Sequence, residues 1–598
     1  MTRSTRAAIN PPAIPSHRVA ILGLTGPSRT AITTTSALAA LLLLTLPGSA
    51  ADHFLTIGGG YSPTGNQISL EKNVILFEKL LGESYAKPVP HDIFFADGEH
   101  PGRDLQFLDR EHKTPEVNRF LATVFQQTRY LSYQYRSNQL QHLNGPSRRA
   151  TINRWFDTTG RELQSGDRLF LYVTAHGGRA SDKKTPRNTS LYLWNHERFQ
   201  MRELVSLLDK LDPQVQVVTV MVQCYSGGFA NLIFQGGDDK QKLSSSNRCG
   251  FFATVHDRMA AGCTPDVNEE NYHEYSSYFW EALRGQTRQG KEISRPDYNE
   301  DGIVSFAEAH AYCLLRSPTI DLSVKTSDRF LRKHSRATGN APTGNAPTGN
   351  APTGNAPTDS PKSDDKSDDK SDATSESAAT RDKSEDSPQP ASLPPANTQQ
   401  PWLTLDSSFD LLLNQASISE RQVLIGLSNE LHLTEDSRAK EARELANQIQ
   451  REKKKLDIDY RKKTTEYKQI ASSIVRRLQQ QWPEMSNRWH PQVQEIMAHE
   501  SQNVVSVIKK HSRFRRLEEL GRERQALSKR KFDHDRQWIK VQRLLRTMEN
   551  VALASNLPIV ASPEIVDRFY QLTALENGTL GDGATQSAPR TARPAANE

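Results

Sequence analysis

Cysteine is scarce. The 598 residues contain 4, and none forms a Cys-x-x-Cys pair, so a disulfide-built scaffold is excluded and zinc-site spacing is missing. Long apolar runs are also missing. Hydrophobic residues make up 36% of the chain and the mean hydropathy is −0.67, which excludes a polytopic membrane protein. Neither sign of charge dominates, with 76 Lys+Arg against 70 Asp+Glu. A formal charge of +6 over this length names no partner, because distribution matters more than the sum. Gly58-Gly59-Gly60 and Gly65 lead into Asn66-Gln67. The lysine of a phosphate-binding loop is therefore absent, and a nucleotide site of that kind is excluded.

What is present falls into blocks, too many residues for one domain. Residues 1–50 read as a signal peptide: Arg3, Arg6, Arg18 and Arg29 precede an apolar core, Ala37 to Leu46, and Gly48 and Ala50 fit a cleavage site before Ala51. The expected location is exported, whether periplasmic, cell-surface or extracellular. The alternative is an uncleaved signal that anchors the chain, although the apolar stretch reaches only about 16 residues where a span needs roughly 20. No stable membrane span is expected after cleavage.

Residues 51–335 alternate strand-like and helix-like runs. Phe54 to Ile57, Asp92 to Ala96, Arg168 to Ala175, Val215 to Val222 and Phe251 to Val255 read as strands, several apolar enough for burial on both faces. Leu70 to Leu81 and Met201 to Leu211 read as amphipathic helices. The pattern predicts an α/β fold with a mostly parallel sheet covered on both sides. Residues 336–400 hold tandem TGNAP units, then Ser/Asp/Lys-rich and Pro-rich sequence, a composition that buries almost nothing and predicts a disordered linker. Residues 401–578 place apolar side chains at helical spacing, among them Leu445, Ile449, Leu456, Ile470 and Leu478, and later Val504, Ile508, Leu517, Leu520 and Leu544. An all-α, coiled-coil-like hairpin is expected there, followed by a disordered tail over 579–598.

Two residues stand out chemically. His176 and Cys224 each follow a buried-type strand directly, in FLYVTAHGG and VVTVMVQCYSGG. In an open parallel sheet the reactive groups collect at the carboxyl ends of the strands. A thiol with an imidazole beside it supports nucleophilic attack on an acyl group. The glycines beside both leave backbone amides free to approach an oxyanion. Two separately packed side chains would be the bland alternative.

AHGG followed by QCYSGG resembles the caspase–legumain–metacaspase superfamily of cysteine endopeptidases, most closely a bacterial legumain-like branch. The likeness extends over IGGGYSPTGNQISLEKNV, FFATVHDRMAAGCTPD and EYSSYFWEAL, roughly Phe54 to Arg332. It implies a caspase-like doubly wound sheet and a protein or peptide substrate. Cys224 would be the nucleophile, His176 the general acid/base, and the amides of Gly177 and Cys224 the oxyanion donors. Val222 stands where relatives carry Gln, Glu or Asp. Gly65 and Asn66 stand nearest to a substrate-binding Arg, so no residue preference at the cleaved bond follows. The alternative is a catalytically inactive scaffold that presents its helical domain to a partner.

Asp297, Asn299, Asp301, Ile303, Ser305 and Glu308 resemble the ligands of an EF-hand loop over 297–308, with Gly302 at the sharp turn. A structural Ca2+ ion is the expected cofactor, and none is expected for the chemistry. An Asp/Asn/Gly turn that caps the next helix would use the same residues. Cys249 and Cys263 are left open between a disulfide and two separate thiols. The basic runs of the carboxy-terminal helices, such as Lys453 to Lys455 and Arg513 to Arg516, are read as a solvated coiled-coil face for self-association or a protein partner, with no nucleic acid expected.

Overall fold

The computed structural model describes residues 51–339, 401–487 and 490–581, except 110, 112, 129 and 130. The expected signal peptide, nearly all of the expected linker and residues 582–598 lie outside the described residues.

The strands are β1 (Asp52–Gly59), β2 (His91–Phe95), β3 (Leu105–Leu108), β4 (Tyr133–Arg136), β5 (Arg168–Gly178), β6 (Ser190–Leu193), β7 (Glu197–Gln200), β8 (Gln216–Met221), β9 (Arg248–Phe252) and β10 (Val324–Lys325). The helices of the α/β part are α1 (Ile68–Ser84), α2 (Glu116–Val124), α3 (Arg149–Asp157), α4 (Thr159–Glu162), α5 (Met201–Leu208), α6 (Tyr275–Arg284), α7 (Phe306–Arg316) and α8 (Thr326–His334). The helices beyond are α9 (Phe409–Gln415), α10 (Ile418–Glu430), α11 (Arg438–Gln481), α12 (Pro491–His499), α13 (Ser501–Lys509), α14 (Phe514–Val560) and α15 (Pro563–Glu576).

The main sheet runs β10-β9-β8-β5-β1-β2. Its strands are parallel except β10, which pairs antiparallel with β9. Taken in chain order the parallel strands lie 2-1-3-4-5, a doubly wound arrangement that reverses direction between β1 and β5. β5 explains why the sheet is covered on both sides. Phe170 and Tyr172 on one face, and Leu169, Leu171 and Val173 on the other, are all fully buried. The Phe170 and Tyr172 face meets an aromatic layer built by Phe77 of α1, Trp280 of α6 and Phe306 of α7. The β6–β7 hairpin, unforeseen in the sequence pattern, pairs with the last residues of β5, His176 opposite Tyr192.

Helices α11 and α14 form the expected hairpin, although the apolar spacing from Val504 to Leu544 is split between α13 and α14. Much of the basic character is turned inward, toward the partner helix. Lys453 pairs with Asp535, Lys463 with Glu523, Lys531 with Asp457, and Arg516 with both Glu466 and Glu523. Such half-exposed pairs add little stability singly but fix the register of the two helices.

The linker is not a boundary of packing. One continuous apolar core contains Phe170 and Val218 of the sheet together with Leu424 of α10 and Leu544, Val551 and Leu557 of α14. Glu576 at the end of α15 is buried and accepts from Lys325 Nζ at 2.8 Å, Thr326 Oγ1 at 2.8 Å, and the Ser327 amide and Oγ at 2.8 and 2.7 Å. A carboxylate buried with this many donors is strongly held, and removing it would strand them. The first residue of the expected tail is packed: Thr579 Oγ1 donates to Val304 O at 2.8 Å and Thr579 O accepts from Arg168. Among the described residues no helix is long and apolar enough to cross a membrane.

Candidate active site

Register brings His176 and Cys224 together. β5 and β8 are parallel neighbours, with Tyr172 opposite Val220 and Val173 opposite Met221. The Val222 amide extends the ladder by donating to Val173 O at 3.1 Å. Counting on from that pairing, the two chains reach His176 and Cys224 at the same height on the carboxyl edge. That edge borders the switch point between β1 and β5, where open α/β sheets collect ligands. Gly177 fills the remaining space: any Cβ there would collide with the carbonyl oxygen of Cys224. Both side chains are half-buried, each keeping a face toward solvent.

The loop after β1 fixes the imidazole. His176 Nε2 lies 2.9 Å from Gly65 O and 2.9 Å from Gln67 Oε1. Gln67 Nε2 is spent on Thr64 O at 3.1 Å, so both groups facing His176 are acceptors and Nε2 must carry the hydrogen. Nδ1 is left with its lone pair, the form needed to take a proton from a thiol. The loop is itself held from behind. Asn66, fully buried, accepts from the Gly60 amide at 2.9 Å and donates to Asp104 Oδ2 at 2.8 Å. Only glycine fits at position 60, because a Cβ would run into the Gly65 carbonyl that His176 uses. The Tyr61 ring packs edge-on against His176, centroids 5.2 Å apart.

Around Cys224 the chain turns sharply. Tyr225 takes a left-handed φ of 62°, an uncommon state for a bulky residue that concentrates at functional turns. The Tyr225 amide donates to Arg258 O at 2.8 Å, and the Ala260 amide donates to Cys224 Sγ at 3.4 Å. The Cys224 amide has no hydrogen-bond acceptor among the described residues. Burial pushes the Cys224 thiol above its ordinary value; the Ala260 amide opposes this and the Asp321 carboxylate adds to it. Burial pulls His176 down, against the Gly65 carbonyl, which favours the cation. The resting pair is thus a neutral thiol and a neutral imidazole. The arrangement can run base-assisted attack, with Nδ1 taking the thiol proton as sulfur bonds to an acyl carbon.

Val222 is buried in the apolar core, and Asn66 is consumed by the loop. Two acids that the sequence reading missed stand close by. Asp321, on the segment after α7, accepts from the Ala261 amide at 2.6 Å and is pushed up to about 6 by burial. Glu274, just before α6, is pushed up to about 7 by burial, with Arg288 opposing. Each keeps one buried oxygen without a hydrogen-bond partner, Asp321 Oδ2 and Glu274 Oε1, the latter 4.0 Å from Arg288 Nη1. Nothing local marks either acid, since their neighbours arrive from distant parts of the chain. Cys249 and Cys263 are both free, so no disulfide joins them.

The acidic loop lies elsewhere, between α6 and α7. Asp297 accepts from the Asp301 amide at 3.1 Å and the Gly302 amide at 2.8 Å. Glu308 closes a capping box with Ser305, taking the Ser305 amide at 2.9 Å, and also takes the amides of Tyr298 at 2.8 Å and Asn299 at 3.2 Å. Asp297, Asn299, Asp301 and Glu308 are therefore gathered on one turn, with oxygens suited to a hard cation. Ile303 is exposed beside Gly302. Among the described residues no three His, Cys, Asp or Glu side chains already converge as an ion cage.

No family model matches the chain, and no curated protein matches it. Among solved structures, protein GSU0716 from Geobacter sulfurreducens matches 46% of this chain and 92% of its own length, with a TM-score of 0.26 and 11% identity. A likeness at that level carries no argument about fold or function.

Proposed function

We propose that the chain is an exported cysteine endopeptidase of the caspase–legumain kind, in which Cys224 attacks the peptide carbonyl and His176 moves the proton. One observation carries the reading: Cys224 packs against the carboxyl end of β5, its carbonyl filling the space beside Gly177, with the hydrogen of His176 held on Nε2 by Gly65 and Nδ1 left as base. In the proposed cycle Nδ1 accepts the thiol proton, sulfur adds to the carbonyl, and the proton passes to the leaving amine. Water then releases the acyl group with His176 again as base. The Cys224 amide, without an acceptor, and the amide of Gly177 are the proposed donors to the oxyanion. The doubly wound strand order supports the caspase-like fold, and the gathered oxygens of the 297–308 loop support a structural calcium site held by Asp297, Asn299, Asp301, the Ile303 carbonyl, Ser305 and Glu308.

A second reading has its own support. Val222 and Asn66 occupy substrate-reading positions with core and loop duties, as an inactive scaffold would allow. A peptide-library digest under reducing conditions with calcium separates the two readings. Cleavage by the native chain that is absent from Cys224→Ala is expected, and the fragments would supply the residue preference. Cleavage that survives the substitution, or none from the native chain, would favour the scaffold.

A further inference from the structure

Arg543 of α14 lies far along the chain from Cys224, yet it is fully buried at the edge of the candidate site. Its guanidinium is spent entirely on backbone. Nε and Nη2 donate to Asp321 O at 2.9 and 2.7 Å, Nη1 donates to Leu314 O and Ser317 O at 2.9 Å each, and Nη2 reaches Thr319 O at 3.4 Å. A planar fork on four carbonyls fixes the whole turn after α7, which a lysine could not do. That turn ends in Asp321, whose carboxylate takes the Ala261 amide at 2.6 Å. The neighbouring Ala260 amide is the group that donates to Cys224 Sγ at 3.4 Å. From the same helix, the Trp538 ring lies 5.1 Å from the Arg258 guanidinium, and Arg258 O accepts the Tyr225 amide at 2.8 Å. α14 thus braces the 258–261 segment from two sides, and that segment touches Cys224 and Tyr225.

We infer that Arg543 and Trp538 are positioning residues for Cys224, so that the carboxy-terminal helical region is a working part of the candidate active site; the inference rests on the endopeptidase reading for its turnover arm only. Arg543 sets the place of the Ala260 amide through Asp321, and this amide stabilises the thiolate as it forms. Trp538 sets the Arg258 carbonyl that holds the turn at Tyr225. Both side chains act through the 258–261 segment.

The test uses the full-length chain with Arg543→Lys and Trp538→Leu, and Lys531→Ala as a control on the outer part of the same helix. Two readouts are taken well below each variant's melting temperature: kcat and KM on a cleaved peptide, and the rate at which iodoacetamide labels Cys224, located by mass spectrometry. Displacements of about 1 Å can cost 10²-fold in rate. Arg543→Lys is expected to lose roughly 10-fold in kcat with little change in KM, and to label Cys224 several-fold more slowly, while Trp538→Leu loses less and Lys531→Ala nothing. Variants that melt earlier but keep native kcat and labelling rates would overturn the inference, because Arg543 would then only hold the fold. If Arg543→Lys does not fold, Trp538→Leu decides alone, and native rates in it overturn the inference. If the native chain cuts no peptide, the endopeptidase reading fails by itself, and the labelling rates still decide whether α14 positions Cys224.

Discussion

The candidate catalytic edge and the acidic loop were both marked by short sequence motifs, and they are built in opposite ways. At the edge, groups from residues 60–67, β5, the turn after β8 and the 258–261 segment meet although they lie far apart in sequence; each holds another, and no local rule would have assembled them. The 297–308 loop is local. Its carboxylates already satisfy the backbone amides of their own turn, through Asp297 on Asp301 and Gly302 and Glu308 on Tyr298, Asn299 and Ser305. The difference teaches where structure adds information. Convergence of distant residues is itself an observation about function, whereas a local turn that satisfies itself fits both a capped helix and an ion site.

The largest expected effect lies at the edge. His176→Ala should lower peptide cleavage by about 10³-fold or more, far more than the small loss of melting temperature expected from its bonds to Gly65 and Gln67. Retained turnover in steady-state kinetics would detach the imidazole from the chemistry. Gly177→Ala is next. Its methyl group meets the Cys224 carbonyl, so about 1–3 kcal/mol of stability and roughly 10²-fold in kcat are expected to go, read by thermal melts and initial rates. A variant as active as the native chain would break the claim that the two strand ends are tightly apposed.

The acidic loop is probed with calcium and chelator. A ligand bound only to the folded state adds about 2.7 kcal/mol at a hundredfold excess over Kd, so calcium should raise the melting temperature of the native chain. Glu308→Gln should abolish that rise and cost about 1 kcal/mol even without calcium, because glutamine can keep the capping box but has no second oxygen for the Tyr298 and Asn299 amides. Equal melts with and without chelator would leave the loop as a cap alone.

The smallest effect concerns pH. Burial, with Asp97 beside it, pushes the Asp104 carboxyl up to about 7. A carboxyl raised in the folded state adds nothing below its unfolded value and weakens the fold as pH climbs from about 4 toward 7. Asp104→Asn keeps an oxygen for Asn66 and removes the charge. It should therefore raise the melting temperature at pH 8 by about 1–3 °C and leave it unchanged at pH 4. An equal shift at both values would assign the gain to packing.

The sequence showed the α/β part well because β5 and β8 are apolar on both faces, a pattern that only a covered parallel sheet explains. It showed His176 and Cys224 for the same reason, since both strands end in glycine-flanked polar residues. It did not show Asp321, Glu274 or Arg543, whose partners come from other elements; the Arg543–Asp321 contact, for example, joins residues 222 apart. It also separated the helical region too cleanly. Hairpin periodicity marks α11 and α14 as partners, but the second half of α14 turns Leu544, Val551 and Leu557 to the sheet-bearing part, and periodicity names a buried face without naming what covers it.

The ends of the intervening segment meet. Trp402 Nε1 donates to Gly339 O at 2.9 Å, and Asn556 ties both sides by donating to Arg336 O at 2.9 Å and Leu403 O at 2.6 Å. The described residues that flank 340–400 therefore lie side by side, so the fold sets no distance for the intervening sequence to span. Closing a loop of twice the length costs only ~0.6 kcal/mol more. A change in the number of TGNAP units therefore need not disturb the contacts that join Arg336, Gly339, Trp402 and Leu403.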